Sequence, residues 1–360
     1  MLVAVFNRVV DPFWYYRDIS ISGINSIKPK FQNYERHVKP ALVRREQPAS
    51  LIFGSSYSEI GFDPLHPALT SAGKSYNFAM AGASWDMVAC NVKFALANDT
   101  ALRQIVLGIH TSDMPLVDCK TRLENIETSE RPFLFSLDAL SSSINTVLEQ
   151  RTGKSSHSAE GLYYYTRGKP ETAERFRKHF ALYTPCKIGS PLPDPPNTAT
   201  ARKKLDLAGL RQLVHDISAR GIELKLVVYP RHALSFEQEY QCGMRTARWD
   251  NLAQIVSAAD SGMDHHTEVW DFEGYHEIGT EAITNSSAIY WQDPEHFNYE
   301  FGNIMLDEMF ALKPSAYGMR LTSSNLAKRA ETERRMRSDY IASHPDFLKQ
   351  LESLLPQKAN

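Results

Sequence analysis

The 360-residue chain is short of several things that would each assign it to a class. Cysteine is scarce. Cys90, Cys119, Cys186 and Cys242 lie far apart, with no CxxC pair and no zinc-finger spacing. That excludes a disulfide-dense small scaffold and a legible zinc site. It leaves free thiols open, or one or two disulfides if the protein is exported. Net charge is almost absent: 40 Lys+Arg face 42 Asp+Glu, leaving -2. Proteins dedicated to neutralising phosphates are usually basic, so a nucleic-acid binder is disfavoured. There is no long apolar run. Residues 1–6 are apolar, but Asn7 and Arg8 follow at once, far short of the ~20 residues that span a bilayer. No charged region precedes this run and no A-x-A-like cleavage site follows it, so it is no complete signal peptide. Internal repeats are lacking too. What remains is a globular composition, 42% hydrophobic and 23% charged, too apolar for disorder and too polar for a polytopic membrane protein. At roughly 100–200 residues per domain, the length suits one large domain or two ordinary ones.

Four short apolar runs read as strands: Ser50-Leu51-Ile52-Phe53, then residues 104–109, 224–229 and 268–272. Each is brief and bounded by turn residues or by a helical pattern. One helix candidate covers about 83–98. Another places Leu210, Leu213, Val214 and Ile217 at i, i+3, i+4 and i+7, with Gly221 closing it, the stripe of a surface helix. Alternating strands and helices predict an α/β domain over residues 49–320, a parallel sheet covered on both faces. Residues 1–48 read as an irregular arm that packs on the core. Residues 140–204 break the rhythm with a Ser run, Tyr163-Tyr164-Tyr165, a basic helical stretch over 171–180 and a Pro-rich segment over 191–196. They read as an insertion, either a lid or a solvated excursion. Residues 321–360 read as a charged helical tail. Its run over 328–337 mixes both signs, as a solvated helix face does.

Two places carry residues suited to chemistry. In Gly54-Ser55-Ser56 a strand ends on hydroxyls just before a helix. Ligands of parallel sheets bind at the carboxyl ends of strands, and a helix N-terminus aims amides at charge developing there. The same residues also suit a plain turn with helix caps. In Trp291-Gln292-Asp293-Pro294-Glu295-His296, Asp293 and His296 are three apart before an apolar helix. A tight turn lets Asp293 hold the His296 imidazole in one tautomer, leaving the other nitrogen free as a base. Asp264 with His265 and His266 lacks a third ligand at a recognisable spacing. His232, after the third strand, should lie on the same rim, in a structural hydrogen bond or on a substrate.

A Ser after the first strand and a late Asp-x-x-His together resemble the SGNH/GDSL hydrolase superfamily. The resemblance covers about residues 50–312, less the insertion. It implies a flavodoxin-like three-layer fold with Ser56 as nucleophile, His296 as base and Asp293 as its orienter. Position 55 departs from the family's Gly-Asp-Ser. The stretch Asn77-Phe78-Ala79-Met80-Ala81-Gly82 resembles the second family block, which makes the Gly82 amide an oxyanion donor and Asn77 a further candidate for the site. The third block usually offers an Asn. Here Gly108-Ile109-His110-Thr111 has none, and His110 or Thr111 stands as the candidate instead. Tyr57 and Trp85 could stack on a sugar, with core packing the other use of Trp85. The flanking text (Val10-Asp11-Pro12, Tyr229-Pro230-Arg231-His232 and Val269-Trp270-Asp271-Phe272) is similar to uncharacterised bacterial cell-envelope proteins of this kind. That similarity implies a membrane anchor before residue 1 and a periplasmic or inner-membrane location. The expected chemistry is acyl transfer through acyl-Ser56, to water or to a sugar hydroxyl. The substrate would be an acylated carbohydrate or another small ester, acetylated above all, with no metal and no cofactor. The competing expectation is a non-catalytic binding or assembly protein for surface polysaccharide, suggested by Ser55 and the missing Asn.

Overall fold

The four apolar runs form the strands expected of them. In the computed structural model, residues 1–111, 114–115, 117–124, 126, 129–165, 168–183, 205–260 and 267–356 are described. Strands β1 (Ser50–Phe53), β3 (Gln104–Ile109), β4 (Glu223–Val228) and β5 (Thr267–Asp271) match those runs. Two three-residue strands, β2 (Ser75–Asn77) and β6 (Met319–Leu321), are too short to show a periodicity. The sheet order is β2-β1-β3-β4-β5-β6. The first five strands are parallel and β6 runs antiparallel to β5. The parallel part, 2-1-3-4-5, has the flavodoxin-like order, whose switch point lies between β1 and β3.

Alternation along the strands divides the core into two layers. Leu51, Phe53, Ile105, Leu107, Leu224 and Leu226 pack with residues of helices Trp85–Asn98, Leu207–Ser218 and Arg245–Asp260. Ile52, Val106 and Val227 face the other way, toward helices Ser56–Gly61, Ala233–Gln241 and Tyr299–Met309. The result is a mostly parallel α/β sheet between two helical layers.

The outer segments are more ordered than their sequence suggests. The arm holds helices Leu2–Val10 and Glu35–Glu46, the second with Pro40 inside it. Its Phe13, Tyr15, Phe31, Val38 and Leu42 enter the core. Asp11 accepts the amides of Tyr15, Tyr16 and Arg17 at 2.8–3.0 Å, which fixes the turn between the helix and the aromatic run. Part of the insertion is woven into the domain. Asn77 donates its amide to the Glu160 carbonyl (2.8 Å), and Tyr163 donates its amide to the Glu59 carbonyl (2.9 Å). The expected Pro-rich segment lies outside the described residues.

Two expectations need correction. The charged tail is not simply solvated. In helix Leu326–Ser343, Arg329 and Glu333 are buried. Arg329 pairs with Asp271 (2.9 Å), Glu333 with Arg245 (2.9 Å), and Arg337 grips Glu237 at 2.6 and 2.7 Å. The spacing 329, 333, 337 puts these groups on one helix face, a signal hidden by the mixture of signs. Free thiols are also not what is seen. Cys90 and Cys119 form a disulfide and Cys242 is disulfide-bonded as well, while Cys186 lies outside the described residues. Among the described residues no helix is long and apolar enough to cross a membrane.

One close approach positions the site. A Cβ added at Gly302 would land on the Gly61 carbonyl, and one added at Gly61 would land in the Phe297 ring. Helices Ser56–Gly61 and Tyr299–Met309 therefore touch backbone to backbone. Gly302→Ala should lower the free energy of unfolding by about 1–3 kcal/mol, the usual range for overpacking. Urea denaturation measures it. An unchanged midpoint would show that the crossing widens freely.

Candidate functional site

Three segments meet at the carboxyl end of the sheet. β1 ends in Gly54, whose φ of 147° favours glycine; any Cβ there would collide with the Tyr229 and Ser58 hydroxyls. Ser55 follows in extended conformation as the helix N-cap, and Ser56 opens helix Ser56–Gly61. This places Ser56 beside the β1/β3 switch point, partly exposed while its neighbours are buried.

The Ser56 Oγ lies 2.9 Å from His296 Nε2. His296 Nδ1 lies 2.8 and 3.0 Å from the two oxygens of Asp293. Asp293 Oδ1 also accepts the amides of Glu295 and His296, each at 2.9 Å. The carboxylate thus folds the turn and orients the ring that the turn carries. The loop is clamped at its base, where Trp291 pairs with Phe297 and the Trp291 Nε1 donates to the Ile278 carbonyl (2.7 Å).

The electrostatics assign the tautomer. Burial would raise the Asp293 carboxyl, but His296 and two amides outweigh it and hold it below the ordinary carboxylate range. Burial would lower His296, but Asp293 more than offsets this and raises its pKa above 6.5. With ionised Asp293 against Nδ1, that nitrogen carries the proton. Nε2 is then left to accept the Ser56 hydroxyl hydrogen.

Glu295 escaped the sequence reading although it sits inside the motif. Its carboxylate accepts the Tyr57 hydroxyl and faces His179 Nε2 at 3.6 Å. Burial opposes ionisation, yet His179 and Tyr57 hold Glu295 at about 2. The Tyr57 ring packs on His296 with centroids 4.4 Å apart, and Tyr165 of the insertion stands 6.1 Å from it. Arg175, also from the insertion, donates to the Gln292 carbonyl at 2.7 Å. The insertion therefore lines the site.

Other candidates sort by geometry. The Met80 amide donates to the Gly54 carbonyl (3.2 Å), which lays the Gly82 loop alongside Ser55 and Ser56. Gly82 has φ 65°. Among the described residues, neither the Ser56 nor the Gly82 amide donates a hydrogen bond within the chain. Asn77 is a correction. It is fully buried, its Nδ2 donates to the Ser58 and Phe62 carbonyls (3.0 Å each), and its Oδ1 accepts the Ala79 amide (3.1 Å). It ties the loop to the Ser56 helix and has nothing left for a ligand. His110 stands edge-on to Tyr57 and Tyr229, with Nε2 3.5 Å from Ser55 Oγ, not at Ser56. His232 is structural: it caps helix Ala233–Gln241 through the Leu234 amide (3.1 Å), and its other nitrogen meets the Glu281 carbonyl (2.9 Å). Trp85 is buried in the core. Asp264, His265 and His266 lie outside the described residues.

Among the described residues, one group has the spacing of metal ligands: Glu35, Glu59 and His157. The Lys39 ammonium already sits there, 2.5 Å from Glu59, and supplies the positive charge. A small cavity of about 20 Å³ opens beside Ser55 and Ala83, walled by Trp85, Val88, Met114 and Tyr229. It has room for roughly one water-sized group.

No family model and no curated protein matches the sequence. A solved chain described as "a putative platelet activating factor from Streptococcus pneumonia" is similar at 14% identity and TM-score 0.33, over 80% of this chain and 92% of that one. Nothing about this chain follows from so loose a likeness.

The His296 geometry is testable by itself. Its imidazole, followed by NMR, should titrate with a midpoint above 6.5, and Asp293→Asn should move that midpoint down. A downward shift needs the carboxylate to favour the charged ring. An unchanged midpoint would mean that Asp293 does not bear on it.

Proposed function

We propose that the protein is a serine-dependent acyl hydrolase or O-acyltransferase of the SGNH type. The observation that carries this is the continuous line from Ser56 Oγ to His296 Nε2 (2.9 Å) and from Nδ1 to Asp293 (2.8 Å). Neutral His296 takes the hydroxyl proton as Ser56 attacks the ester carbonyl, and Asp293 stabilises the imidazolium. The carbonyl oxygen becomes an oxyanion, for which the undonated Ser56 and Gly82 amides are the donors. The imidazolium protonates the departing alkoxide, leaving acyl-Ser56. Water or a sugar hydroxyl then attacks, again with His296 as base.

Three further features support the details. The cavity is lined by Ser55 and Ala83, the chain neighbours of the two proposed donors, and has room for little more than the methyl of an acetyl group. Tyr165, 44% exposed near His296, offers an aromatic face to a sugar ring. The Cys90–Cys119 disulfide fits an oxidising compartment, in keeping with the cell-envelope polysaccharide substrates that the resemblance implies. The alternative, a non-catalytic scaffold, draws on the absent third-block Asn. It leaves the assembled Ser–His–Asp line without a role.

A fluorophosphonate probe read by intact mass tests this. One adduct should form on the wild type and none on Ser56→Ala or His296→Ala. The labelling rate should rise with pH through a midpoint above 6.5, because only the neutral imidazole accepts a proton and its pKa is raised. Asp293→Asn should slow labelling by roughly 10²–10⁴-fold. A folded wild type that takes no adduct would sink the catalytic reading in favour of the scaffold. Among p-nitrophenyl esters, acetate should outrun hexanoate; the reverse order would remove the cavity from the acyl site.

A further inference from the structure

A second hollow lies beside the Gly82 loop. It holds about 180 Å³ and is lined by Arg36, His37, Pro40, Met80, Asn91 and Arg122, among others. Arg36, His37 and Arg122 are basic, and among the described residues none that lines the hollow is acidic. Arg36 Nη2 reaches the Ala81 carbonyl at 3.4 Å and stands 3.9 Å from where a Gly82 Cβ would be. The hollow therefore adjoins one of the two amides assigned to the oxyanion.

Its arginines differ from a set on the β4–β5 side of the sheet. Arg231, Arg245, Arg248, Arg329 and Arg337 each pair with a carboxylate. Among the described residues, Arg36 and Arg122 have no carboxylate partner within ion-pair distance. In a chain of formal charge -2, two guanidinium groups lining one cleft without an ion pair to any described carboxylate, with a histidine beside them, favour an anion there. A guanidinium presents a planar fork of donors that matches carboxylate and phosphate oxygens.

We propose that this cleft binds an anionic group, a carboxylate or a phosphate, carried by the substrate next to its ester. That it serves the substrate rests on the acyl-transfer reading. The substrate class is then an acyl ester that also carries a carboxylate or a phosphate, and not an ester of a neutral glycan.

The test is binding, which needs no turnover. Calorimetry compares trigalacturonate, a glycerol phosphate trimer and xylotriose on the full chain. Either anionic oligomer should bind at least about tenfold more tightly than xylotriose, and the tighter of the two identifies the source of the charge. The preference should shrink as salt rises. Arg36→Gln and Arg122→Gln should each weaken the anionic ligand by about tenfold. Arg122→Lys, which keeps the charge, should recover part of the loss and so separates recognition from damage to the fold. Equal binding of all three oligomers, or an Arg122→Gln variant that melts like the wild type and keeps the preference, overturns the proposal. Fluorophosphonate labelling of Ser56 runs in parallel. Labelling without anion preference removes only the cleft. Anion preference without labelling removes only the acyl-transfer reading.

Discussion

Ser56 and His296 are 240 positions apart in the chain and 2.9 Å apart in space. What holds them together is a backbone contact between two glycines. Gly61 ends the helix that Ser56 begins, and Gly302 lies in the first turns of the helix that follows His296. Each glycine leaves room the other segment fills: the Gly61 carbonyl occupies the space of a Gly302 side chain, and the Phe297 ring occupies that of Gly61. Phe297 is the immediate neighbour of His296. The seat of that ring therefore sets the height of the imidazole over the serine. A serine–histidine hydrogen bond tolerates a few tenths of an ångström, while a single methyl at the crossing demands more than an ångström of separation. Steric contact far inside the molecule thus governs a polar contact at its rim.

The opposite side of the Ser56 helix is fixed by charge. Glu59, one turn on from Ser56, is fully buried with Lys39 at 2.5 Å and His157 at 2.9 Å. Burial would keep the Glu59 carboxyl neutral, but Lys39 and His157 hold it well below the ordinary carboxylate range. Lys39 comes from the arm and His157 from the insertion, so one carboxylate joins three parts of the chain. Such a cluster gains little over an apolar core, because desolvation cancels most of the attraction. Its partners are hard to exchange, however, since removing one strands a charge. The cluster therefore fixes the rotation of the Ser56 helix more than it adds to stability. The same holds at the far edge of the sheet, where Arg245, Arg248 and Arg329 converge on Asp271, Glu273 and Glu333 and dock helix Leu326–Ser343.

These arrangements explain what the sequence discloses and what it hides. Strands β1 and β3 are legible because each is a mainly apolar run, as burial on both faces demands; β4 and β5 keep that signal although Lys225 and Glu268 interrupt it. Ser56, Asp293 and His296 stand out because they follow a strand or share a tight turn, both local patterns. Asn77 misleads for the same reason. Its motif is local, but its amide is consumed by carbonyls of the Ser56 helix, which only the packed structure brings near. Glu295 and Tyr57 meet across 238 positions, and nothing in either segment announces the other. The tail's ion pairs are invisible because a helix bearing both signs reads the same whether its partners are water or arginines. Cysteine pairing across 29 positions likewise leaves no mark in spacing.

The two departures from the SGNH pattern that the proposed function must accommodate, at position 55 and in the third block, have a physical reading too. Backbone donors carry no side-chain identity, so replacing Asp by Ser at position 55 removes no amide from the site. Position 55 acts through its backbone: its N–H is held by the Tyr229 hydroxyl (3.0 Å), which also meets Ser58 Oγ (2.9 Å). That network braces the turn so that the next amide, that of Ser56, points outward from the first turn of the helix. A side-chain donor in the third block is a different matter, because His110 packs edge-on against the stacked Tyr57 and Tyr229 rings with its Nε2 at Ser55 Oγ. Losing one oxyanion donor costs about 10²–10³ in rate. In the proposed chemistry this slows attack by any acceptor to a similar degree, water or sugar. Discrimination between acceptors then falls to binding. The features proposed to bind, the exposed Tyr165 ring and the basic hollow at Gly82, lie outside the Ser–His–Asp line, where substrate contacts can vary without disturbing the proton transfer.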